Sequence, residues 1–161
     1  VAASTKEKGE RLEHLMCWLL SHLPGVQARR RNVYSANGAQ EIDVLFYNEP
    51  TTGGFAEFGS KFIGECKNWV RPVDSSDVAW FAWKMRLGGV YQGVLFAANG
   101  ITSDHKRRTA AQSIVLDSNS ETPSRQIYVL TLDEVADITC TGDLRELLID
   151  KAMLLTGRDP F

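Results

Sequence analysis

The stretch "FIGECKNW", residues 62–69, decides how this chain is read. Phe62 and Ile63 at one end and Trp69 at the other read as a buried strand, yet Glu65 and Lys67 stand two apart in its middle. Side chains two apart on a strand share a face. A strand that looks internal therefore carries an acid and a base on one side, and the segments around it have to account for the pair.

Just upstream, "VQARRRNVYSANGAQEIDVLFYN" predicts two antiparallel strands, about 26–35 and 40–48, joined at the hairpin signal Asn37-Gly38. In the second, Ile42, Val44 and Phe46 point one way and Glu41, Asp43, Leu45 and Tyr47 the other. The turn-rich connection at 49–60 is short, so the strand at 61–69 is expected to pair antiparallel with 40–48. On those faces Asp43, Glu65 and Lys67 converge at one end of the sheet. Glu13, on a helix predicted over 7–23 from the spacing of Leu12, Leu15, Met16, Leu19 and Leu23, can approach them.

Converged carboxylates repel, and burial disfavours their charged form. Two remedies exist, a salt bridge to Lys67 or a divalent cation. Ligation by carboxylate, carbonyl and water oxygens suits Mg2+, whereas zinc wants His or Cys. His14, His22 and His105 are not spaced as a ligand set and read as surface or helix histidines. A metal held by Asp43 and Glu65 would stabilise charge on a phosphoryl group and acidify a bound water, and Lys67 would orient that water or stabilise the attacking hydroxide. The plainer alternative is a surface Glu65–Lys67 salt bridge, which an isolated E-x-K usually is.

Downstream of Pro72, "DSSD" supplies caps for a helix "DVAWFAWKMRL" that stops at Gly88-Gly89. Core packing is the expected use of its Trp80, Phe81 and Trp83. The apolar run "GVLFAAN" (93–99) predicts an interior strand. A helix capped by Thr102 or Ser103 is expected to about residue 113, with a polar loop at 118–124. A strand at 125–132, a short helix at 133–139 and an amphipathic helix at 142–157 complete an α/β fold, a mixed sheet with helices on both sides.

With these elements in place, "GERLE" on the first helix, "EIDV" on strand two and "GECKNW" on strand three resemble the PD-(D/E)xK nuclease superfamily, in particular restriction-endonuclease-like proteins of the Mrr type. The later "GVLFAANGITSDHKRRTAAQ" is similar to that group's fourth strand, Thr-bearing loop and DNA-facing helix. The resemblance covers roughly residues 9–132 and implies a restriction-endonuclease-like mixed β-sheet with an αβββαβ core flanked by helices. It implies Asp43 and Glu65 as metal ligands, the Cys66 backbone carbonyl as a further one, Lys67 as the catalytic lysine, and Glu13 as the helix acid that completes the site, usually through water. Glu41 and Gln40 lie nearby. Ile42 stands before Asp43 where the family motif has Pro. The implied activity is Mg2+-dependent DNA cleavage, with Mn2+ as a substitute, in restriction or other anti-phage defence. The alternative is a catalytically inactive nucleic-acid-binding module of the same fold.

Composition bounds these readings. At 161 residues, 43% hydrophobic and 24% charged, one folded domain is expected. No apolar run approaches the ~20 residues of a membrane span, and the first residues lack an apolar signal core. The chain starts without Met, so it is expected to be processed or cut from something longer. Cys17, Cys66 and Cys140 form no CxxC pair, which suits a reducing cytoplasm. The net charge of −2 is unusual for a strong DNA binder and points to a homo-oligomer, a fused domain or a partner for targeting. Basic clusters at 28–32 and 105–109 make Arg30, Thr102, Lys106 and Arg107 the expected DNA contacts, the last three at a helix N-terminus.

Overall fold

The computed structural model describes residues 4–34, 38, 41–49, 55–56, 58–102 and 111–156. Among these the order is α1 (Thr5–Leu20), β1 (Val26–Tyr34), β2 (Glu41–Asn48), β3 (Lys61–Lys67), α2 (Ser75–Gly88), β4 (Gln92–Ala97), α3 (Ala111–Ser120), β5 (Gln126–Leu130), α4 (Leu132–Ala136) and α5 (Thr141–Thr156). The strands form one sheet in sequence order, β1-β2-β3-β4-β5. The β1–β2 and β2–β3 pairs are antiparallel, as their short connections dictate, and the helix-linked β3–β4 and β4–β5 pairs are parallel. A mixed sheet flanked by helices is thus observed. Asn37 of the expected hairpin turn lies outside the described residues.

Alternation along the strands makes two cores. On one face α1 and α5 bring Leu12, Met16, Leu20, Leu144 and Leu148 against Val44, Phe46, Phe62, Phe96 and Tyr128. On the other α2 and α3 bring Val78, Phe81, Met85, Ala111 and Val115 against Ile63, Leu95 and Ile127. Two glycines let helices approach the sheet. A Cβ on Gly64 would stand 2.6 Å from Met16 Cε of α1, and one on Gly93 would stand 2.8 Å from Phe81 Cζ of α2. On the connection from β2 to β3, the Asn48 side chain is buried. It donates to the carbonyls of Phe55 and Phe58, each at 2.9 Å, and accepts the Phe55 N–H at 3.1 Å. Main-chain groups that would otherwise lie unpaired in the interior are satisfied that way.

Several expectations are corrected. Strand β3 ends at Lys67, not 69, because Asn99 Nδ2 donates to the Trp69 carbonyl and the chain turns away. Helix α3 runs to Ser120, into the stretch expected to be loop, since Val115 and Ser118 are buried under it. The Thr102 Oγ1 accepts the Ala111 N–H of α3 at 3.2 Å, while residues 103–110, where the capped helix start was expected, lie outside the described residues. Of the three aromatics of α2 only Phe81 is core; Trp80 and Trp83 remain 49% and 39% exposed and stack on each other with centroids 4.9 Å apart. The buried stripe is Val78, Phe81, Lys84 and Met85, which leaves positions 80 and 83 on the far side of the helix.

Candidate functional site

The site forms where β2 and β3 part. Their described ladder runs from Tyr47 opposite Lys61 to Val44 opposite Gly64. One step further would set Asp43 opposite Glu65. There the main-chain pairing stops, and the Asp43 side chain takes over: its Oδ2 accepts the Cys66 N–H at 2.8 Å. Strand β3 meanwhile stays paired to β4 through Lys67, whose carbonyl accepts the Ala98 N–H at 2.9 Å. In a strand, main-chain groups of alternate residues point to opposite neighbours. The main chain of Lys67 therefore faces β4, and that of Cys66, carbonyl included, faces the β2 side beside Asp43.

Glu65 is 3% exposed and has an ammonium on each oxygen. Lys67 Nζ stands 3.0 Å from its Oε1, and Lys84 Nζ, from α2, stands 2.6 Å from its Oε2. A surface salt bridge on an edge strand is thereby excluded, because β3 is the central strand and both Glu65 and Lys84 are buried. Burial pushes the Asp43 carboxyl up to about 6, and the neighbouring Glu65 charge adds to the rise against the Cys66 N–H, which opposes it. For Lys67 burial lowers the pKa, but the Glu65 charge and hydrogen bond outweigh it and hold the ammonium above its ordinary value. Burial raises the Cys66 thiol well above its usual range, so this cysteine is not a thiolate nucleophile.

The sequence brought Asp43, Glu65 and Lys67 together, and so does the structure. Glu13 is held differently: its Oε2 accepts from Arg31 Nη2 at 2.9 Å, and its charge contributes only the last of the effects on Asp43. A bulge between Ala28 and Arg30 decides which arginine reaches it. Ala28 lies opposite Phe46 and Arg31 opposite Val44, both on the α1 face, while Arg30 lies opposite Leu45 on the other and is exposed. The Thr102 hydroxyl accepts the Ala111 N–H of α3. Lys106, Arg107 and Gln40 lie outside the described residues. Beyond the site strand, Lys67 and Arg71 both sit over the Trp69 ring, at 5.3 and 4.8 Å from its centroid.

Sequence reasoning missed Lys84. The signal was present: on α2 it occupies the stripe otherwise made of Val78, Phe81 and Met85, and a lysine there has to find a buried anion.

Among the described residues no group of three or more His, Cys, Asp or Glu side chains is placed to hold a metal ion. The donors that do converge are two carboxylates, Asp43 and Glu65, with the Cys66 carbonyl on the same side. Mg2+ keeps several waters and is commonly bound through one or two carboxylates plus substrate phosphate, so this oxygen-only set fits it. Among the described residues no helix is long and apolar enough to cross a membrane. No family model, no curated protein and no solved structure matches the chain.

Proposed function

We propose that this chain is a nuclease of the restriction-endonuclease-like kind, hydrolysing phosphodiester bonds in DNA at the Asp43–Glu65–Lys67 site. The observation that carries the reading is the parting of β2 from β3 at the point where two carboxylates and a lysine face one gap. Structural salt bridges do not call for a second, half-buried carboxylate, and Asp43 is held there against its own repulsion from Glu65. The αβββαβ order of the elements agrees with the resemblance of "EIDV" and "GECKNW" to the PD-(D/E)xK pattern.

Asp43 and Glu65 would hold a Mg2+ ion, with the Cys66 carbonyl beside them. When bound, the ion supplies charge stabilisation at the phosphoryl oxygens and a more acidic water. The Cys66 N–H fixes Asp43, leaving its other oxygen for the gap. Lys67 stays protonated and presents its ammonium to the charge that builds as water attacks. Arg30, exposed on the face that carries Asp43, would meet the phosphate backbone.

A second reading, nucleic-acid binding without turnover, has its own support. Both Glu65 oxygens are held by ammonium groups, Glu13 is committed to Arg31, and among the described residues no three His, Cys, Asp or Glu side chains group to hold a metal ion. As they stand Glu65 and Glu13 are paired with cations of this chain, which suits binding alone.

Supercoiled plasmid incubated with Mg2+, and in parallel with EDTA, separates the two. Nicking or linearisation that needs Mg2+ and falls by a factor on the order of 10^3 in Lys67→Ala is expected. If Lys67→Ala and Asp43→Asn cut as fast as the parent, the site is wrong. A salt-sensitive mobility shift with no metal-dependent cutting would select the second reading.

A further inference from the structure

The buried ion set contains one more cation than the proposed chemistry uses. Lys67 already satisfies Oε1 of Glu65, yet Lys84 reaches Oε2 from a different element, at 2.6 Å, and is only 8% exposed. Its neighbours on the buried stripe, Val78, Phe81 and Met85, are apolar, and a Met or Leu there would continue the packing. Burying an ammonium in that stripe is unfavourable unless a carboxylate partner compensates it. Lys84 thus adds a second ammonium, besides Lys67, next to the carboxylates Asp43 and Glu65, while the more distant Asp77 also acts on Lys67. A divalent cation entering against Asp43 and Glu65 therefore meets two resident ammonium groups, and one of its two carboxylates is doubly paired.

We propose that Lys84 is a resident counter-ion that competes with the divalent cation for Glu65, so that cation and nucleic-acid phosphate bind well only together. This rests on the metal site of the proposed function. The charge logic is direct. Adding two positive charges beside Lys67 and Lys84 is disfavoured by both ammonium groups. A phosphodiester brings the missing negative charge and gives a displaced Lys84 a new partner. The device would keep the site from filling with metal in the absence of substrate. It also predicts a sign. A lysine that merely positions Glu65 would, when removed, weaken metal binding; a competing counter-ion would, when removed, strengthen it.

The test measures Mn2+ binding to the full chain by loss of the free-ion electron paramagnetic resonance signal, for the parent, Lys84→Met and Glu65→Gln, with and without a short DNA duplex. Lys84→Met is expected to bind Mn2+ alone about tenfold or more tightly, the order by which a nearby opposite charge shifts an ionic equilibrium. The duplex should tighten Mn2+ strongly in the parent and much less in Lys84→Met. Equal or weaker Mn2+ binding by a folded Lys84→Met would overturn the proposal while leaving the metal site standing, provided the parent binds Mn2+ and Glu65→Gln does not. If neither the parent nor Lys84→Met binds Mn2+ in a manner Glu65→Gln abolishes, the metal site and the counter-ion role fall together. Should Lys84→Met fail to fold, Lys84→Gln carries the same expectation, and Lys84→Arg, which keeps the charge, should bind Mn2+ as weakly as the parent.

Discussion

Along β3, residues 62–64 and residues 65–67 are governed by different forces. All three are paired to β2, Ile63 and Gly64 also to β4, and their side chains pack on both faces of the sheet. Phe62 stacks on Phe46 across the ladder at 4.7 Å and meets Phe58 at 4.5 Å, Ile63 faces α2, and Gly64 admits Met16 of α1. The next three keep β4 but lose the described main-chain ladder to β2, and there the side chains are Glu65, Cys66 and Lys67. The first half is held by burial of apolar surface, which needs no partner of defined charge. In the second half a buried acid is tolerated only because cations surround it. The well-packed half fixes where the charged half sits, and so allows unfavourable charge to be kept at a defined place.

The largest effect expected from breaking this division is in the first half. Phe62 is fully buried between two aromatic rings, and Phe62→Ala should destabilise the fold by about 3–5 kcal/mol, read from urea unfolding. A loss below about 1.5 kcal/mol would mean that the anchor lies elsewhere.

A smaller effect, of opposite sign, is expected in the second half. Asp43 is raised to about 6 from an ordinary 3.8, so the folded protein holds this proton more tightly than the unfolded chain does. Below the unfolded value both states are protonated. As pH rises from there through about 6 the unfolded chain gains ionisation that the folded state resists, and stability is lost; above about 6 the loss is complete. About two pKa units correspond to at most roughly 3 kcal/mol. Asp43→Asn keeps an oxygen for the Cys66 N–H and removes the charge, so it should raise stability at pH 8 by about 1–2 kcal/mol. The gap between variant and parent should narrow as pH falls through 6 toward 4, seen in thermal melts across that range. A gap that ignores pH, or an asparagine variant less stable at pH 8, would show that Asp43 is not held against its charge.

The division between the halves was partly legible in the sequence. Period-two alternation placed Asp43, Glu65 and Lys67 on common faces, because a paired strand allows side chains only two directions. Short and long connections gave the antiparallel and parallel pairs. Three things were not legible. Lys84's place on the buried stripe of α2 can be read from the sequence, but its partner cannot, because contact with Glu65 depends on how α2 lies across β4, which Gly93 permits and no local pattern states. The bulge after Ala28 swaps which arginine faces α1, and one extra residue in a run of three arginines leaves no mark in the alternation. Glu13 sits on the expected helix, but its partner is settled by that bulge. The aromatics of α2 misled for a related reason: composition says that large rings are usually buried, and only their phase against Val78 and Met85 says which are.

The smallest expected effect concerns that partner, and it marks where the charged region ends. Glu13 and Arg31 stand 2.9 Å apart with side chains 18% and 33% exposed, wetter than the Glu65 and Lys84 side chains at 4% and 8%. Water and salt screen a pair of that kind, so a double-mutant cycle of Glu13→Gln and Arg31→Met should give a coupling on the order of 1 kcal/mol or less. The coupling should shrink further between low and high ionic strength. Glu13→Gln should also move the Asp43 transition slightly toward lower pH, because the Glu13 charge is one of the influences raising it. A coupling above about 2 kcal/mol that salt leaves unchanged would place Glu13 and Arg31 inside the buried ion set. The charged half would then reach through the sheet to α1, and Glu13 would regain the place beside Asp43 and Glu65 that the sequence had assigned it.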